Sequence, residues 1–205
     1  MPRRIGHRGA RGHVGENTLD SFERAIELGC DEIETDVWLT ERGLIVSHDP
    51  PARSASLTLE DALEACAGRV TLNVEVKALR DEVNAYAAGT RVALLVDLRG
   101  ADAYVSSFWW PALDGARGQA ASVRRAYIYA SYPEVDVLVA RAGAAGLWAL
   151  HPNHTYVTLE LVAKAHAAGL AVNAWTANDP ADIAALIAAG VDGICSDFPE
   201  RVPKG

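Results

Sequence analysis

A repeated rhythm constrains this chain most: a helical stretch, a glycine, then a short apolar strand. TLDSFERAIELG runs into CDEIETDVWL, TLEDALEACAG into RVTLNVEVK, VDVLVARAGAAG into LWAL, TLELVAKAHAAG into LAVNAWT, and PADIAALIAAG into VDGICSD. Each glycine stands where a helix end favours a left-handed residue. Thr58 with Asp61 makes a capping-box pattern at the head of one helix. GCDEIETD and GVDGICSD resemble each other, as copies of one unit should. Strands are predicted near 3–7, 31–38, 70–77, 103–107, 125–130, 146–150, 170–175 and 191–196. Strands alternating with helices imply a parallel sheet with right-handed crossovers. About eight such units close the sheet, so the expectation is an α/β fold, a single (β/α)8 TIM barrel spanning residues 1–205 as one domain. GTRVALLVDL, residues 89–98, has the composition of a strand, but the alternation demands a helix there.

Composition narrows the partners. Half of the 205 residues are hydrophobic, enough for a substantial core. The formal charge of −8, without a basic block, argues against nucleic acid, and an anionic substrate would need locally placed cations or a metal. Cys30, Cys66 and Cys195 are isolated and read as small core residues of a protein in a reducing cytosol. No apolar run reaches the roughly 18–20 residues of a membrane span. MPRRIGHRG lacks the apolar stretch of a signal peptide. The expectation is a soluble, cytoplasmic protein with a small-molecule partner; oligomeric state is not legible.

The chemistry gathers at the strands' C-terminal ends, where barrels build their sites. Strand 1 ends in GHRG, with His7 and Arg8. IETDVWLTERGLIVSHD puts Glu34 and Asp36 on one face of strand 2, about 6–7 Å apart along it, and its hairpin-like return ends at His48. In LNVEVK, Asn73, Glu75 and Lys77 share a face opposite Leu72, Val74 and Val76. NAWTAN places Asn173 and Trp175 on one side. A strand buried on both faces should be continuously aliphatic, and two adjacent strands break that rule together. Glu34, Asp36 and Glu75 converging on the mouth make an oxygen-rich site for one hard divalent cation, Mg²⁺ or Ca²⁺, rather than zinc. Taken singly, each residue also has a plain structural reading: ion-paired carboxylates, hydrogen-bonded histidines, a core tryptophan. His13, His151, His154 and His166 read as surface or loop residues.

The stretch GHRGARGHVGENTLDSFERAIELGCDEIETDVWLTERGLIVSHDP resembles the N-terminal signature of the glycerophosphodiester phosphodiesterases: HRG, then ENT, ExD and HD. LNVEVK and VNAWTANDPADIAALIAAGVDGICSDFPE resemble the family's later motifs, whereas residues 80–145 match mainly in SSF. The resemblance implies that Glu34, Asp36 and Glu75 are metal ligands. It implies that His7 and His48 are general acid and base, that Arg8 and Lys77 contact phosphate, and that Trp175 lines the pocket beside the substrate's alcohol portion. ENT, residues 16–18, reads as helix cap and brace of the site.

One departure stands out. Family members usually carry a small inserted segment after HD that covers the pocket; here His48 leads through DPPARSASL almost directly into the next helix. A more open site follows, with Trp109 and Trp110 of SSFWWPALDG either at its rim or packed on the following helix. The implied activity is metal-dependent hydrolysis of glycerophosphodiesters to sn-glycerol 3-phosphate and an alcohol. Phospholipase D-like action on lysophospholipids or other phosphodiesters, and a non-catalytic barrel binding metal or phosphate, are the alternatives.

Overall fold

The computed structural model describes residues 1–79 and 81–204. Its elements follow the rhythm of the sequence: β1 (Arg3–Gly6), α1 (Leu19–Glu27), β2 (Glu32–Thr40), β3 (Gly43–Val46), α2 (Leu59–Cys66), β4 (Thr71–Lys77), α3 (Glu82–Arg99), β5 (Ala103–Ser107), α4 (Trp110–Gln119), β6 (Arg125–Tyr129), α5 (Val135–Ala144), β7 (Ala149–Pro152), α6 (Leu159–Ala167), β8 (Ala171–Ala174), α7 (Pro180–Ala189) and β9 (Gly193–Ser196). Eight strands pair in parallel around a ring in the order β1, β9, β8, β7, β6, β5, β4, β2, and β1–β2 pairing closes it. β3 is the hairpin return, antiparallel on the outer end of β2 with Val37 opposite Val46. The result is a (β/α)8 barrel in which β9 is followed by a 3-10 turn at Pro199–Arg201. Among the described residues no helix is long and apolar enough to cross a membrane.

Local chemistry explains the element ends. Gly29, Gly68, Gly146, Gly169 and Gly190, the glycines of the five repeats, all have φ between 64° and 83°, the left-handed turn that releases each helix into its strand. Thr58 and Asp61 form the anticipated reciprocal cap of α2, and Thr18 with Ser21 does the same for α1. Residues 89–98 are helical, within α3. Their smallest member sets the packing: a Cβ at Gly89 would lie 1.9 Å from the carbonyl oxygen of Ala112, so α3 and α4 approach more closely than side chains allow. The strand predicted at 146–150 instead occupies Ala149–Pro152, a shift that matters for His151.

Two apolar layers follow from strand alternation. Ile33 and Val37 of β2 and Leu72, Val74 and Val76 of β4 face outward into one core with helix residues such as Phe22, Leu59 and Leu63. Inside the barrel, Tyr104, Ala126 and Ala149 fill the end away from the mouth, with Trp148 packed on them. That end also buries Glu32, whose carboxylate pairs with Arg3 and accepts the Tyr104 hydroxyl at 2.9 Å. Burial, despite the nearby Arg3, pushes the Glu32 carboxyl up from its ordinary value.

Removing one partner of such a pair leaves a charge stranded. Arg3→Leu should lower the unfolding free energy by about 3–5 kcal/mol. A carboxyl held above its unfolded pKa destabilises the fold once ionised, so the loss should be largest at high pH and shrink as acid protonates Glu32. Urea melts of both proteins across that range would check the sign.

Candidate active site

The site lies at the C-terminal mouth of the barrel, in a cavity of about 290 Å³. β2 and β4 pair with Glu34 beside Asn73 and Asp36 beside Glu75, so their inward side chains form two rungs. One oxygen from each of Glu34, Asp36 and Glu75 lies within 4.8 Å of the others. All three carboxylates are at most 9% exposed. Burial, compounded by the neighbouring Asp36 charge, pushes the Glu34 carboxyl well above its usual range and Glu75 to about 7.

Cations and amides hold this cluster. Arg8 Nε lies 3.1 Å from Asp36 Oδ2, and the Arg8 backbone N–H donates to Glu34 Oε2 at 2.9 Å. Lys77 Nζ donates to Glu75 Oε1 at 2.9 Å and sits 3.5 Å from Asp36 Oδ1. Burial works against the charge of both cations, but the surrounding carboxylates outweigh it and raise their pKa values. ENT does more than cap. Glu16 takes the Arg8 guanidinium at 2.9 Å, Asn17 Nδ2 donates to Asp36 Oδ2 at 2.9 Å, and Thr18 starts α1. Arg8 and Asn17 hold left-handed backbone, φ 53° and 54°, a conformation costing roughly 1–3 kcal/mol for residues with side chains. The Asn17 N–H donates to the Arg8 carbonyl at 3.0 Å and fixes that turn.

The fit to a divalent cation rests on the donor set. Glu34 Oε1 and Asp36 Oδ1 are buried oxygens without a hydrogen-bond partner, beside a third carboxylate and with no cysteine or histidine in the cluster. Hard oxygen donors in this number suit Mg²⁺ or Ca²⁺, and Glu34, Asp36 and Glu75 would hold the ion.

The two sequence-predicted histidines occupy different surroundings. His7 Nδ1 lies 2.6 Å from Asp197 Oδ1, so Nδ1–H donates and Nε2 faces Glu34, 3.9 Å away. Burial lowers the His7 pKa, although Asp197 opposes it. Asp197 also accepts from Asn178 Nδ2 at 2.8 Å. His48 lines the same cavity from the loop after β3, with its side chain 37% exposed and Nδ1 3.0 Å from Asp49. Arg8, Lys77 and Trp175 line the cavity as well, so every predicted site residue except Asp36 borders it, and Asp36 stands directly behind with its oxygens in the cluster.

Three features correct or extend the sequence reading. His151, taken as a surface or loop residue, is 4% exposed and lines the cavity, because β7 runs through it. Trp109 and Trp110 do not form the rim. They pack on the core, Trp110 stacked on Tyr127 with centroids 4.4 Å apart. Phe108 takes the rim place, edge-on to Trp175 at 5.5 Å. Asp197, the partner of His7, follows directly after β9, and no local sequence pattern marks it.

The chain belongs to the Glycerophosphoryl diester phosphodiesterase family, whose pattern matches residues 7–58 and 48–201. It is accordingly a phosphoric diester hydrolase. A glycerophosphodiester phosphodiesterase of Caldanaerobacter subterraneus subsp. tengcongensis is 28% identical, covering 97% of this chain and 95% of its own length. Another from Bacillus altitudinis is 26% identical, covering 100% and 98%. The barrel superimposes on a phosphodiesterase of Oleispira antarctica, solved in complex with the product sn-glycerol-3-phosphate, with a TM-score of 0.87 over 98% of this chain and 95% of that one, at 24% identity. The alignment with the Caldanaerobacter protein runs over 244 residues against 205 here, so that relative carries segments this chain lacks. The family pattern breaks into two pieces at residues 48–58, the loop after His48.

Three carboxylates buried together with only Arg8 and Lys77 to offset them oppose folding as they ionise. Glu34→Gln or Glu75→Gln should therefore raise the melting temperature of the metal-free protein. Each should also abolish the stabilisation that millimolar Mg²⁺ or Ca²⁺ gives the wild type. Thermal melts with chelator and with each ion would check both effects.

Proposed function

We propose that this chain hydrolyses glycerophosphodiesters to sn-glycerol 3-phosphate and an alcohol, using one divalent cation and the histidines His7 and His48. The observation that carries this reading is the meeting, at one cavity, of three clustered carboxylates, two of them with an oxygen that lacks a hydrogen-bond partner, two cationic side chains and two imidazoles. Membership of the family and the product bound to the Oleispira relative support the substrate class.

A phosphodiester carries one negative charge, and more gathers on its non-bridging oxygens as a nucleophile attacks. The cation, when bound, supplies Lewis-acid stabilisation of that charge. Arg8 and Lys77, fixed by Glu16 and Glu75, place two further positive charges beside it on largely buried side chains, where such fields act more strongly than in water. His7 is suited to act as base. Its low pKa keeps it neutral, and the Asp197 contact fixes the tautomer that leaves the Nε2 lone pair facing the site. His48, at the mouth, is placed to return a proton to the departing alkoxide as the phosphorus–oxygen bond breaks. The nucleophile is water, or a neighbouring glycerol hydroxyl that forms a cyclic phosphate which water then opens to sn-glycerol 3-phosphate; in the first step either surrenders its proton to His7.

The first experiment is release of sn-glycerol 3-phosphate from glycerophosphocholine and glycerophosphoglycerol with Mg²⁺, with Ca²⁺ and with chelator. Release that stops with chelator supports the reading. Full release in excess chelator removes the metal from it. Failure with every ion, in a protein that still binds it, points to lysophospholipids as the next substrates. His48→Ala should lower kcat about 10²–10⁴-fold with little change in KM, since its proton moves only in the transition state. Asp197→Asn should likewise act on kcat, through His7. A change confined to KM in either variant would remove that residue from the proton path.

A further inference from the structure

The carboxylate behind His7 is held from two sides. His7 follows β1 and Asp197 follows β9; the two strands pair, which brings Asp197 Oδ1 within 2.6 Å of His7 Nδ1. The His7 N–H donates to the Ser196 carbonyl at 3.0 Å, and the Gly12 N–H donates to the Asp197 carbonyl at 2.9 Å, so the backbone of both residues is fixed. Those contacts leave the Asp197 side chain free to turn about its own bonds. What stops it is Asn178, in the loop between β8 and α7.

The orientation of the Asn178 amide follows from the donors around it. The Asp197 backbone N–H lies 2.9 Å from one end of the amide, and the Ser196 hydroxyl lies 3.0 Å from the same atom. A backbone N–H only donates, so that atom is the carbonyl oxygen, Oδ1. Nδ2 is then turned to Asp197 Oδ2, 2.8 Å away. One amide thus grips Asp197 twice, by its N–H and by its carboxylate. Asn178 is itself fixed. Arg201 Nη1 donates to its carbonyl at 2.8 Å, the Ala177 N–H donates to the Cys195 carbonyl at 3.0 Å, and Asp179 caps α7 directly after it. Burial opposes ionisation of Asp197, but the hydrogen bonds from His7 and Asn178 hold its carboxyl below the ordinary value. With Oδ2 occupied, Oδ1 is left for His7. An ionised carboxylate only accepts, so the ring proton sits on Nδ1 and Nε2 stays bare on the side of Glu34.

A competitor for the same carboxylate stands close by. Arg11 Nε lies 3.5 Å from the Oδ1 that His7 uses, and the Arg11 side chain is 35% exposed. Its other partner is Glu16, 3.3 Å from Nη1. Asn178 supplies the one hydrogen bond to Oδ2 among the described residues. Without it, the carboxylate would be free to turn toward Arg11 and water, and His7 would lose the contact that sets its tautomer and its ring plane. We propose that Asn178 is a positioning residue for His7, acting through Asp197: it holds Oδ2 so that Oδ1 keeps the proton on His7 Nδ1 and leaves Nε2 open to the nucleophile. This rests on the reading in which His7 takes the nucleophile's proton, and adds the residue that keeps its ring set for that step.

The first test reads His7 directly and needs no turnover. In the metal-free protein, at a pH well above the His7 pKa, the ¹⁵N signals of the ring report which nitrogen carries the proton. The wild type should show the Nδ1–H form. Asn178→Asp keeps Oδ1 and replaces the donor by a second charge, so it should give a mixture of both tautomers. Asn178→Ala should do the same, and serves where the aspartate variant fails to fold. A wild-type ring protonated on Nε2, or an unchanged Nδ1–H form in the folded variant, overturns the proposal. With substrate, each variant should lose about 10–10²-fold in kcat with little change in KM, as a slightly misplaced base would. In an Asp197→Ala background, Asn178→Ala should cost almost nothing further, because residues acting along one path are not additive. A full additional loss, as two independent structural defects would give, or an effect confined to KM, also overturns the proposal. A wild type in the Nδ1–H form that releases no sn-glycerol 3-phosphate from diesters refutes the phosphodiesterase reading alone, and the tautomers of the variants then decide the role of Asn178.

Discussion

The structure is organised around the repulsion of three carboxylates held where water cannot separate them. Glu34, Asp36 and Glu75 project into the barrel mouth, each residue at most 9% exposed, and two of their oxygens lack a hydrogen-bond partner. The same strand shows what a purely structural acid looks like. Glu32, one rung deeper on β2, is equally buried, but Arg3 and Tyr104 satisfy it completely. A carboxylate that is buried and paired serves the fold. Buried carboxylates with an unused oxygen, as Glu34 and Asp36 are, beside the third carboxylate of Glu75, leave room for a cation. The left-handed turns at Arg8 and Asn17 belong to the same arrangement, since they aim one N–H at Glu34 and one amide at Asp36.

Much of this was legible in the sequence because it depends on short-range order. The glycine after each helix needs only local backbone sterics, and all five adopt positive φ. The inward set Asn73, Glu75 and Lys77 needs only the two-residue period of a strand, and the register with β2 confirms it. What escaped was settled by contacts between distant parts of the chain. Asp197 meets His7 because β9 pairs with β1 at ring closure, and nothing within either segment signals it. His151 was misplaced for a different reason. LWAL reads as the strand, but the pairing of β7 with β6 runs on to Pro152 and carries the histidine into the barrel. At SSFWW the larger residues drew attention to the rim. Tyr127 and Arg141 gather Trp110 into the helix layer, and Phe108 is left at the opening.

The short loop after His48 gives the site its asymmetry. On one side His7 is enclosed by Asp197, Glu34 and the first βα turn. On the other, His48 sits at the mouth on a loop whose remaining residues pass directly to α2, with Trp38 Nε1 donating to its carbonyl at 3.2 Å. Two imidazoles that begin with the same intrinsic chemistry therefore have different access to water, and that difference favours opposite proton-transfer roles. It also shapes recognition. Under the proposed reaction, Phe108 and Trp175, packed edge to face, are the aromatic groups that the outgoing alcohol meets. The buried side-chain oxygens of the cavity lining that lack a hydrogen-bond partner, Glu34 Oε1 and Asn73 Oδ1, belong to β2 and β4, so the acceptors that the cavity leaves unsatisfied lie on the barrel wall and not on its cover.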